Sequence, residues 1–391
     1  MKYNEIELAA GLRLLFSNDH LVCLRKAEME SKDQIYPDRK SGSGGSNTSG
    51  LRHIEIPIDL LDSVPQLKSY INSFISKNGN VNMILIPTVG TFAVAESAAD
   101  LDFMFSGREA QSLDRPKLRM HNKVVVITGG AQGFGAGLAE SFFKEGANLV
   151  IADVNELVGK DFAEDLNSRD TPNKALFIQC DVSDFYSVKK VIDKTVFHFG
   201  GVDVMISNAG ILRAGGLDEM TPENFELMTK VNYSGYFNCA KAASAIMKTQ
   251  SEFTDMRHFD ILQINSKSGL RGSNKNFAYA GGKFGGIGLT QSFALELMPY
   301  RIKVNSICPG NFFDGPLWSD PEKGLFVQYL NAGKIPGAKS VADVRQYYEK
   351  QVPAGRGCET GDVAKAAFYA IEQEYETGQA IPVTGGQVML N

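Results

Sequence analysis

Two patterns of apolar and polar positions divide the chain. From Arg119 onward, short runs rich in β-branched residues alternate with longer amphipathic segments. Such runs are typical of strands buried on both faces of a parallel sheet, and the segments between them predict helices. The predicted strands are Val124–Thr128, Asn148–Ala152, Ala175–Cys180, Val202–Ser207, Asp260–Asn265, Lys303–Cys308 and Gln379–Val383. This alternation predicts an α/β fold, a doubly wound parallel sheet of about seven strands with its ligand crevice beyond their carboxyl ends.

The first 118 residues have a more broken pattern. An amphipathic helix is predicted at Ile6–Phe16, a strand at Ile54–Ile58, a helix at Leu67–Ser76 and a strand at Val81–Ile86. A Ser/Gly-rich tract at 41–50 has the composition of a flexible linker. We therefore predict a small N-terminal α/β appendage, residues 1–118, in front of a larger domain that spans 119–391.

The appendage is poor in metal-binding side chains. Its segment Met83–Met104 resembles the end of the aldolase portion in bifunctional bacterial enzymes that fuse a sugar-phosphate aldolase to a dehydrogenase. Such an aldolase needs several histidines and an acid around a divalent metal. The available histidines, His20, His53 and His121, form no His-x-His pair. We expect no metal site, and packing or an oligomer contact is the role predicted for the appendage.

Composition excludes several classes of function. A net charge of −5 and scattered Lys and Arg residues leave no electrostatic footprint for nucleic acid. The five cysteines are far apart and form no Cys-x-x-Cys, which predicts free thiols in a reducing compartment. No signal peptide is expected, and the longest apolar stretch, Met83–Ala95, is too short and too interrupted to span a bilayer. A cytoplasmic protein without a membrane partner is the expectation.

The segment from Lys123 to Glu145 predicts a strand, a tight turn and the start of a helix. Its glycines are spaced so that the backbone turns without Cβ clashes and a phosphate can approach the main chain. Free N–H groups and the positive end of the helix dipole then lie where a pyrophosphate would bind. The predicted cofactor-binding residues are Gly129, Gln132, Gly133, Phe134 and Gly135. A glycine trio alone also arises by chance or in a plain tight turn.

Asp153 ends the second predicted strand, about twenty residues beyond the glycines, where a carboxylate can bind a ribose 2′-hydroxyl. The alternative is an ordinary helix N-cap. Neither Gln132 in the turn nor Val154 and Asn155 after the acid supplies a positive charge for a 2′-phosphate. The sequence therefore predicts NAD rather than NADP.

Two further predicted strands end in residues suited to a cofactor. Asp181, with Val182 beside it, follows the third strand, where an acid can meet an adenine amino group; helix capping by Asp181 is an equal alternative. The fourth strand ends in a run of small residues that permits close approach of a cofactor. The predicted cofactor contacts in this run are Asn208, Ala209 and Gly210.

Tyr279 and Lys283 lie four residues apart at the start of a helix predicted to run to about Met298. Residues at this spacing share one helix face, so the ammonium lies beside the phenol. A fixed positive charge favours the phenolate of a group whose ordinary pKa is about 10, and this tunes a proton donor or acceptor. Ser266 ends the fifth predicted strand and can hydrogen-bond a substrate oxygen that gains or loses charge. Tyr-x-x-x-Lys alone is more often a surface pair; the strand-ending serine and the glycine turn favour a catalytic site for hydride transfer.

These motifs, in their order along the chain, resemble the short-chain dehydrogenase/reductase family from about residue 119 to the end. The resemblance implies that Asn232 completes a catalytic tetrad with Ser266, Tyr279 and Lys283. It also implies that Asn232 supports a water-linked proton path from Lys283, and that Lys283 grips the nicotinamide ribose. The family pattern adds two cofactor contacts, Pro309 and Gly310. A helix-interior residue that bonds its own backbone is the alternative for Asn232.

Within this family, the C-terminal half resembles the sorbitol-6-phosphate 2-dehydrogenases. The matching stretches are Asn265–Gly269, Lys283–Ser292, Gly310–Asn311, Gln346–Tyr348, Val352–Pro353, Arg356–Cys358, Thr377–Gln379 and Val383–Met389. The resemblance implies an enzyme that uses NAD to interconvert a polyol, or a polyol phosphate, and its 2-keto sugar. The predicted substrate contacts are Ser266, Lys267, Ser268, Arg271, Asn311, Asp314 and Trp318.

Whether the substrate carries a phosphate is left open by these residues. A phosphate is usually bound by Arg or Lys, and Lys267 or Arg271 can serve. Asp314 is acidic where the enzymes that this chain resembles tend to carry a basic residue. A carboxylate at this place would oppose a phosphate and suit the hydroxyls of a neutral sugar.

The segment from Phe312 to about Val352 is too long for a tight connection and is expected to cover the site as a lid. Phe312, Phe313 and Trp318 are predicted to form walls of the site, or else to be core residues. The C-terminal segment Val383–Met389 resembles the edge through which this family forms tetramers, so a homo-oligomer, tetramer or dimer, is expected.

Other functions give different expectations. A dehydrogenase of another sugar, sugar acid or secondary alcohol would share every motif above. A protein that senses NAD, or serves as a scaffold, without turnover should have lost Tyr279 or Lys283, and both are present. An aldolase in the N-terminal region lacks metal ligands.

Overall fold

A computed structural model describes residues 2–17, 21–27, 52–87, 89–106, 118–255, 257–272, 274–322, 324–331, 333 and 335–390. The flexible tract predicted at 41–50 lies outside the described residues. None of the described helices is long and apolar enough to cross a lipid bilayer.

Of the two sheets within the described residues, the larger has seven parallel strands, which confirms the predicted doubly wound fold. Its strands are β5 (Val124–Thr128), β6 (Asn148–Asp153), β7 (Ala175–Gln179), β8 (Val204–Ser207), β9 (Phe259–Ile264), β10 (Ile302–Pro309) and β11 (Ala380–Val383). Their order in space is β7-β6-β5-β8-β9-β10-β11. The strand order reverses between β5 and β8, and doubly wound sheets bind ligands beyond the carboxyl ends of the strands at such a point.

Helices cover both faces of this sheet. They are α4 (Gly133–Lys144), α5 (Glu156–Asn167), α6 (Phe185–Phe199), α7 (Pro222–Thr229), α8 (Gly235–Phe253), α9 (Phe277–Leu297) and α13 (Thr360–Glu372). Successive residues of a strand point to opposite faces. Val124 and Val126 of β5 therefore enter the core under α6, α8 and α9, whereas Val125 and Ile127 enter the core under α4, α5 and α13.

The N-terminal segment forms a second sheet of four strands in the order β1-β4-β3-β2. Its elements are α1 (Glu5–Leu15), β1 (Cys23–Ala27), β2 (His53–Glu55), α2 (Val64–Asn78), β3 (Met83–Ile86), β4 (Gly90–Ala95) and α3 (Ala98–Ser106). β2 is parallel to β3, and the other pairs are antiparallel. The predicted strand Ile54–Ile58 is shorter than expected, since a 3₁₀ turn occupies Ile58–Asp62. Sequence analysis missed β1, whose Arg25 and Lys26 interrupt the apolar pattern.

The N-terminal segment shares an apolar core with the large sheet. Leu8 and Leu12 of α1 lie in the same cluster of buried residues as Val191 of α6 and Met247 of α8. The ring of Tyr3 lies 5.2 Å from that of Phe253, at the end of α8. Packing, one of the two roles expected for this segment, is therefore observed. The oligomer contact and the boundary at residue 118 stay predictions.

Candidate active site

The glycine turn between β5 and α4 brings the start of the helix close to the end of the strand. A Cβ built on Gly135 would lie 2.0 Å from the carbonyl oxygen of Gly129, so only glycine permits this approach of helix to strand. Gln132 occupies the N-cap position of α4 and makes no side-chain capping hydrogen bond. The first N–H groups of a helix lack intrahelical acceptors, and these face the turn. The binding of a diphosphate by this turn stays a prediction.

Thr128 ties this turn to the neighbouring strand β8. Its hydroxyl oxygen lies 3.1 Å from the backbone nitrogen of Asn208 and 3.2 Å from that of Ala209, both of which donate to it. The Asn208 amide in turn donates to the carbonyls of Thr128 and Gly129, at 3.0 and 2.9 Å. The predicted cofactor contacts on β5 and β8 are thus joined at the point where the strand order reverses. Thr128 was not assigned a role from sequence; its signal is a hydroxyl that ends an aliphatic strand.

Asp153 ends β6 next to the glycine turn and is 7% exposed. Its carboxylate accepts hydrogen bonds from the backbone N–H groups of Ala131, at 3.1 Å, and Asn155, at 3.0 Å. The N-cap of α5 is Asn155, whose side chain accepts from the N–H of Val158. The N-cap alternative for Asp153 is therefore wrong, and its carboxylate lies against the turn.

Asp181 follows β7 at the same edge of the sheet. Its side chain is exposed and accepts from the N–H of Ser183 at 2.9 Å. The cap of α6 is Asp184, which accepts from Tyr186. Helix capping by Asp181 is therefore wrong, while Val182 beside it is buried. The adenine contact stays a prediction.

Tyr279, Lys283 and Ser266 come together where α9 crosses the end of β9. The Nζ atom of Lys283 lies 5.5 Å from the centre of the Tyr279 ring and donates to the carbonyl oxygen of Ile264 at 2.9 Å. The Tyr279 side chain is half-buried and hydrogen-bonded to the Ser266 hydroxyl. Tyr279 and Lys283 lie four residues apart on α9, and this spacing places the phenol and the ammonium on one helix face, as predicted.

Burial shifts the pKa values of both Tyr279 and Lys283. It raises the pKa of Tyr279 above the ordinary value, and the hydrogen bond from Ser266 opposes this only in part. Burial also lowers the pKa of Lys283 from 10.5 to about 8. The sequence predicted a phenol pKa lowered by the ammonium; desolvation of the phenolate is the larger effect, so the phenol holds its proton at neutral pH.

Asn232 lies in a π-helical turn, Lys230–Ser234, between α7 and α8. Its side chain makes two hydrogen bonds to the loop after β8: Oδ1 accepts from the N–H of Ile211 at 2.9 Å, and Nδ2 donates to the Ile211 carbonyl at 2.8 Å. A Cβ on Gly210 would lie 2.9 Å from Asn232 Oδ1 and 3.8 Å from Lys283 Nζ. Asn232 and the ammonium of Lys283 therefore both face Gly210, and the alternative that Asn232 bonds its own backbone is wrong.

The turn after β9 carries two positively charged residues, Lys267 and Arg271, that were predicted to contact substrate. Lys267 is half-buried, and burial together with the nearby charge of Arg271 lowers its pKa. Arg271 is exposed. Ser268 is buried and donates its backbone N–H to the Ser266 hydroxyl oxygen at 3.1 Å. Among the residues that the structure describes, no carboxylate forms an ion pair with Lys267 or Arg271.

Asp314, which was predicted to oppose a phosphate, forms an ion pair at the protein surface. Its carboxylate pairs with Arg345, on α12 (Val341–Lys350), with 2.7 Å between Oδ1 and Nη1. Arg345 lies far away in sequence and also pairs with Glu349. Arg345 is thus shared between two carboxylates, so this exposed cluster keeps a negative charge, and the opposition of Asp314 to a phosphate stays a prediction.

The segment 312–352 contains α12 and two shorter helices, α10 (Pro316–Ser319) and α11 (Leu325–Asn331). They enclose a core of their own that includes Phe313, Trp318 and Phe326. Trp318 is 8% exposed and packs against Phe313, Phe326, Tyr329 and Tyr348. The predicted contact of Trp318 with substrate is corrected, because its ring stabilises this segment instead of forming an open wall.

Phe312 was predicted to be either a wall of the site or a core residue, and it packs against the glycine turn. Its ring stacks on Phe134 of the glycine turn, with 4.6 Å between the ring centres. The segment 312–352 therefore begins against the predicted diphosphate site. Gly310 before it donates its N–H to the Val383 carbonyl, and Asn311 accepts from the N–H of Cys358 at 2.8 Å. Pro309, Gly310 and Asn311 thus continue β10 along β11 towards the site.

Comparison with known proteins identifies the family. A family model for short chain dehydrogenases matches residues 123–318. The chain is 37% identical over 270 residues to sorbitol-6-phosphate 2-dehydrogenase of Escherichia coli (strain K12), covering 68% of this chain and 99% of that protein. It is 31% identical over 275 residues to galactitol 2-dehydrogenase of Agrobacterium fabrum, covering 70% and 100%.

A solved structure gives the same result. The crystal structure of sorbitol-6-phosphate 2-dehydrogenase from Erwinia amylovora superposes with a TM-score of 0.62 at 36% sequence identity, covering 68% of this chain and 100% of that one. About a third of this chain therefore has no counterpart in these relatives. With its seven parallel strands, its glycine turn and the Ser266, Tyr279 and Lys283 cluster, the chain belongs to the short-chain dehydrogenase family of oxidoreductases.

Proposed function

We propose that the chain uses NAD to interconvert a polyol phosphate, similar to sorbitol 6-phosphate, and its 2-keto sugar. The observation that carries this proposal is the position of Lys267 and Arg271. Lys267 follows Ser266 directly, Arg271 lies further along the same turn, and no carboxylate of the described residues pairs with either cation. A half-buried lysine that faces another cation is unfavourable unless an anion binds there. Relatives named for sorbitol 6-phosphate and galactitol support a polyol as the carbon skeleton.

The residues at the strand ends fit a dinucleotide. The glycine turn would hold the diphosphate, Asp153 the adenosine ribose, Asp181 and Val182 the adenine, and Asn208–Gly210 with Pro309–Gly310 the nicotinamide half. NAD, when bound, supplies the hydride acceptor. The carboxylate of Asp153 favours NAD, because a 2′-phosphate would lie against a buried negative charge.

Tyr279 is the proton donor and acceptor in this proposal. In the direction of ketose reduction, the phenol gives its proton to the carbonyl oxygen that becomes the hydroxyl. Its raised pKa keeps it protonated and suits this role. In the direction of oxidation, the phenolate takes the same proton back, and the nearby ammonium of Lys283 lowers the cost of that charge. Ser266 donates a hydrogen bond to the same substrate oxygen.

Lys267 and Arg271 bind the phosphate in this proposal. Charge-assisted hydrogen bonds from Lys and Arg to phosphate oxygens are among the stronger polar contacts in proteins. Their position next to Ser266 fixes which end of the polyol lies at the phenol, and so directs oxidation to one carbon.

We further propose that the protein is cytoplasmic and forms a tetramer or dimer through the edge that includes Val383–Met389. Light scattering tests the second point, and a monomer at all concentrations would contradict it.

A substrate panel tests the proposed function. NAD reduction is measured with alditols, alditol phosphates and other secondary alcohols, and NADH oxidation with ketoses and their phosphates. We expect sorbitol 6-phosphate or a related alditol phosphate to give a higher kcat/KM than its unphosphorylated form. If all polyols and their phosphates are inert while another class of alcohol reacts, the proposal is wrong.

A further inference from the structure

A chain of buried polar side chains runs beneath the active site. Gln263 of β9 accepts hydrogen bonds at Oε1 from Asn265 and from Ser306 of β10, each at 2.8 Å. Ser306 is bonded to Thr290 of α9 at 2.8 Å, and Thr290 to Tyr236 of α8 at 3.0 Å. Four elements are thus joined by side-chain hydrogen bonds inside the protein. These hydrogen bonds lie in the low-dielectric interior, where they fix the positions of the groups that make them, although the Nε2 atom of Gln263 has no partner within the described residues.

Asn265 ends this chain at the active site. Its side chain is 4% exposed, and each of its polar hydrogens and its oxygen has a partner. Nδ2 donates to Gln263 and, at 2.9 Å, to the backbone carbonyl of Lys283, while Oδ1 accepts from the backbone N–H of Ser266 at 2.8 Å. One amide therefore touches the backbone of both Ser266 and Lys283. An aspartate of the same shape has no hydrogens to donate to the two carbonyl oxygens.

Lys283 is held to the end of β9 at two points as a result. Its Nζ donates to the carbonyl of Ile264, and its own carbonyl accepts from Asn265. Tyr279 lies one helical turn earlier on the same face of α9. Rotation or sliding of α9 against β9 would move the phenol relative to Ser266, and these two contacts oppose such motion.

The turn after Ser266 packs directly onto the Asn265 amide and the Lys283 carbonyl. A Cβ on Gly269 would lie 2.2 Å from Asn265 Oδ1 and 3.0 Å from the Lys283 carbonyl. The absence of a side chain at this position lets the turn that carries Lys267 close over the amide. The Asn265 amide is thus enclosed by β9, by α9 and by the turn that begins at Ser266.

We propose that Asn265 is a positioning residue, which sets the distance between the Ser266 hydroxyl and the Tyr279–Lys283 pair without touching substrate. This inference rests on the proposed catalytic roles of those three residues. Misplacement of a reacting group by about 1 Å can lower a rate about 100-fold. Loss of the amide should therefore lower kcat strongly, while sites that do not depend on this distance, such as the diphosphate site, keep their affinity.

Steady-state kinetics of Asn265→Asp and Asn265→Ser test the proposal, with the panel substrate that the wild type oxidises fastest. Ser306→Ala is the matched control, because it removes a buried hydrogen bond of the same chain away from Ser266 and Lys283. We expect kcat to fall about 10- to 100-fold in both Asn265 variants. The dissociation constant for NADH, from its fluorescence, should change less than about threefold. Ser306→Ala should keep kcat within about twofold and lower only the thermal midpoint.

Several results would overturn the proposal. Equal kcat in the Asn265 variants and in Ser306→Ala would show that the amide has no special effect on the site. Unfolding of both Asn265 variants while Ser306→Ala stays folded would show that Asn265 holds the fold, not the site. Tyr279→Phe distinguishes failure of the proposed catalytic roles from failure of the positioning role. If this variant remains active, the proposed catalytic roles are wrong. If it is inactive and the Asn265 variants have normal kcat, only the positioning role is wrong.

Amide hydrogen exchange tests the same link without turnover. The N–H groups of Ser266–Leu270 and of the helix around Lys283 should exchange faster in Asn265→Ser than in the wild type. Ser306→Ala should leave exchange in the turn unchanged. Unchanged exchange in Asn265→Ser would contradict the positioning role whatever the substrate is.

Discussion

Arg13 of α1 and Asp203, just before β8, form an ion pair inside the protein. The distance between Nη2 and Oδ2 is 2.8 Å, and the two side chains are 0% and 4% exposed. Arg13 also donates to the backbone carbonyls of Val22 and Asn122, and Asp203 accepts from the N–H of Val124 at 2.7 Å. The N-terminal segment is thus fixed to the starts of β5 and β8, the strands whose other ends carry the glycine turn and Asn208.

This pair predicts that the N-terminal segment is essential for stability. Removal of one partner of a buried pair leaves an uncompensated charge, and this costs about 3 to 5 kcal/mol. We expect Arg13→Met to lower the free energy of unfolding in urea by that amount. Arg169→Met is the control, since its pair with Glu140 is exposed and should be worth less than about 1 kcal/mol. Equal losses in the two variants would contradict the role given to Arg13.

The contact between β1 and α6 predicts a loss of stability in mild acid. His198 lies against Arg25, with 3.3 Å between Nε2 and Nη2, and burial together with the Arg25 charge lowers its pKa from 6.5 to about 4. Between these two values the unfolded chain binds a proton that the folded protein does not, so the free energy of unfolding falls as the pH drops from about 6.5 to 4.

Urea unfolding at pH 7 and pH 5 measures this effect. From about 1.4 kcal/mol per pKa unit, and because the ring keeps some exposure, we expect the wild type to lose about 1 to 2 kcal/mol more than His198→Gln between these pH values. The same pH dependence in both proteins would show that the histidine is charged in the folded state.

Asp153 predicts the choice between the two nicotinamide cofactors. Asp153→Asn removes the charge that opposes a 2′-phosphate, so the ratio of kcat/KM for NAD to that for NADP should fall about tenfold, or 1.4 kcal/mol. Asp181→Asn is the comparison, because an adenine contact serves both cofactors and its loss should leave the ratio unchanged. A wild-type enzyme that prefers NADP would refute this account of Asp153.

Lys267 predicts how a phosphate is recognised. Loss of a hydrogen bond to a charged group is worth about 1.5 to 3 kcal/mol, so Lys267→Ala should raise KM for an alditol phosphate about 10- to 100-fold. KM for the unphosphorylated alditol should hardly change. Lys275→Ala serves as control, because Lys275 already pairs with Glu219 at 2.8 Å. If Lys267→Ala affects both substrates alike, the phosphate is bound elsewhere.

Local patterns predicted the large sheet and the proximity of Ser266, Tyr279 and Lys283 well. The run Val124–Thr128 is aliphatic because β5 is buried on both faces, so composition alone identifies it as a central strand. Tyr279 and Lys283 meet because helical geometry fixes side chains four residues apart. Such features depend on neighbours in sequence, and these are visible in the sequence itself.

Features that depend on distant partners could not be predicted. Asp314 forms an ion pair with Arg345, and Trp318 is buried by helices whose packing no local pattern specifies. β1 exists because it pairs with β4, although its own sequence carries two cations. Asn265 is a polar residue at the end of a strand, and only its three contacts separate it from an ordinary turn residue.

The most direct test of the account is the rate of NAD reduction by Tyr279→Phe with sorbitol 6-phosphate, or with the best substrate of the panel. Loss of a positioned proton donor and acceptor should lower kcat about 10²- to 10⁴-fold, while NADH binding measured by fluorescence stays within about threefold of the wild type. A Tyr279→Phe variant that keeps its rate within about threefold would show that the phenol does not transfer the proton and would contradict the proposed mechanism.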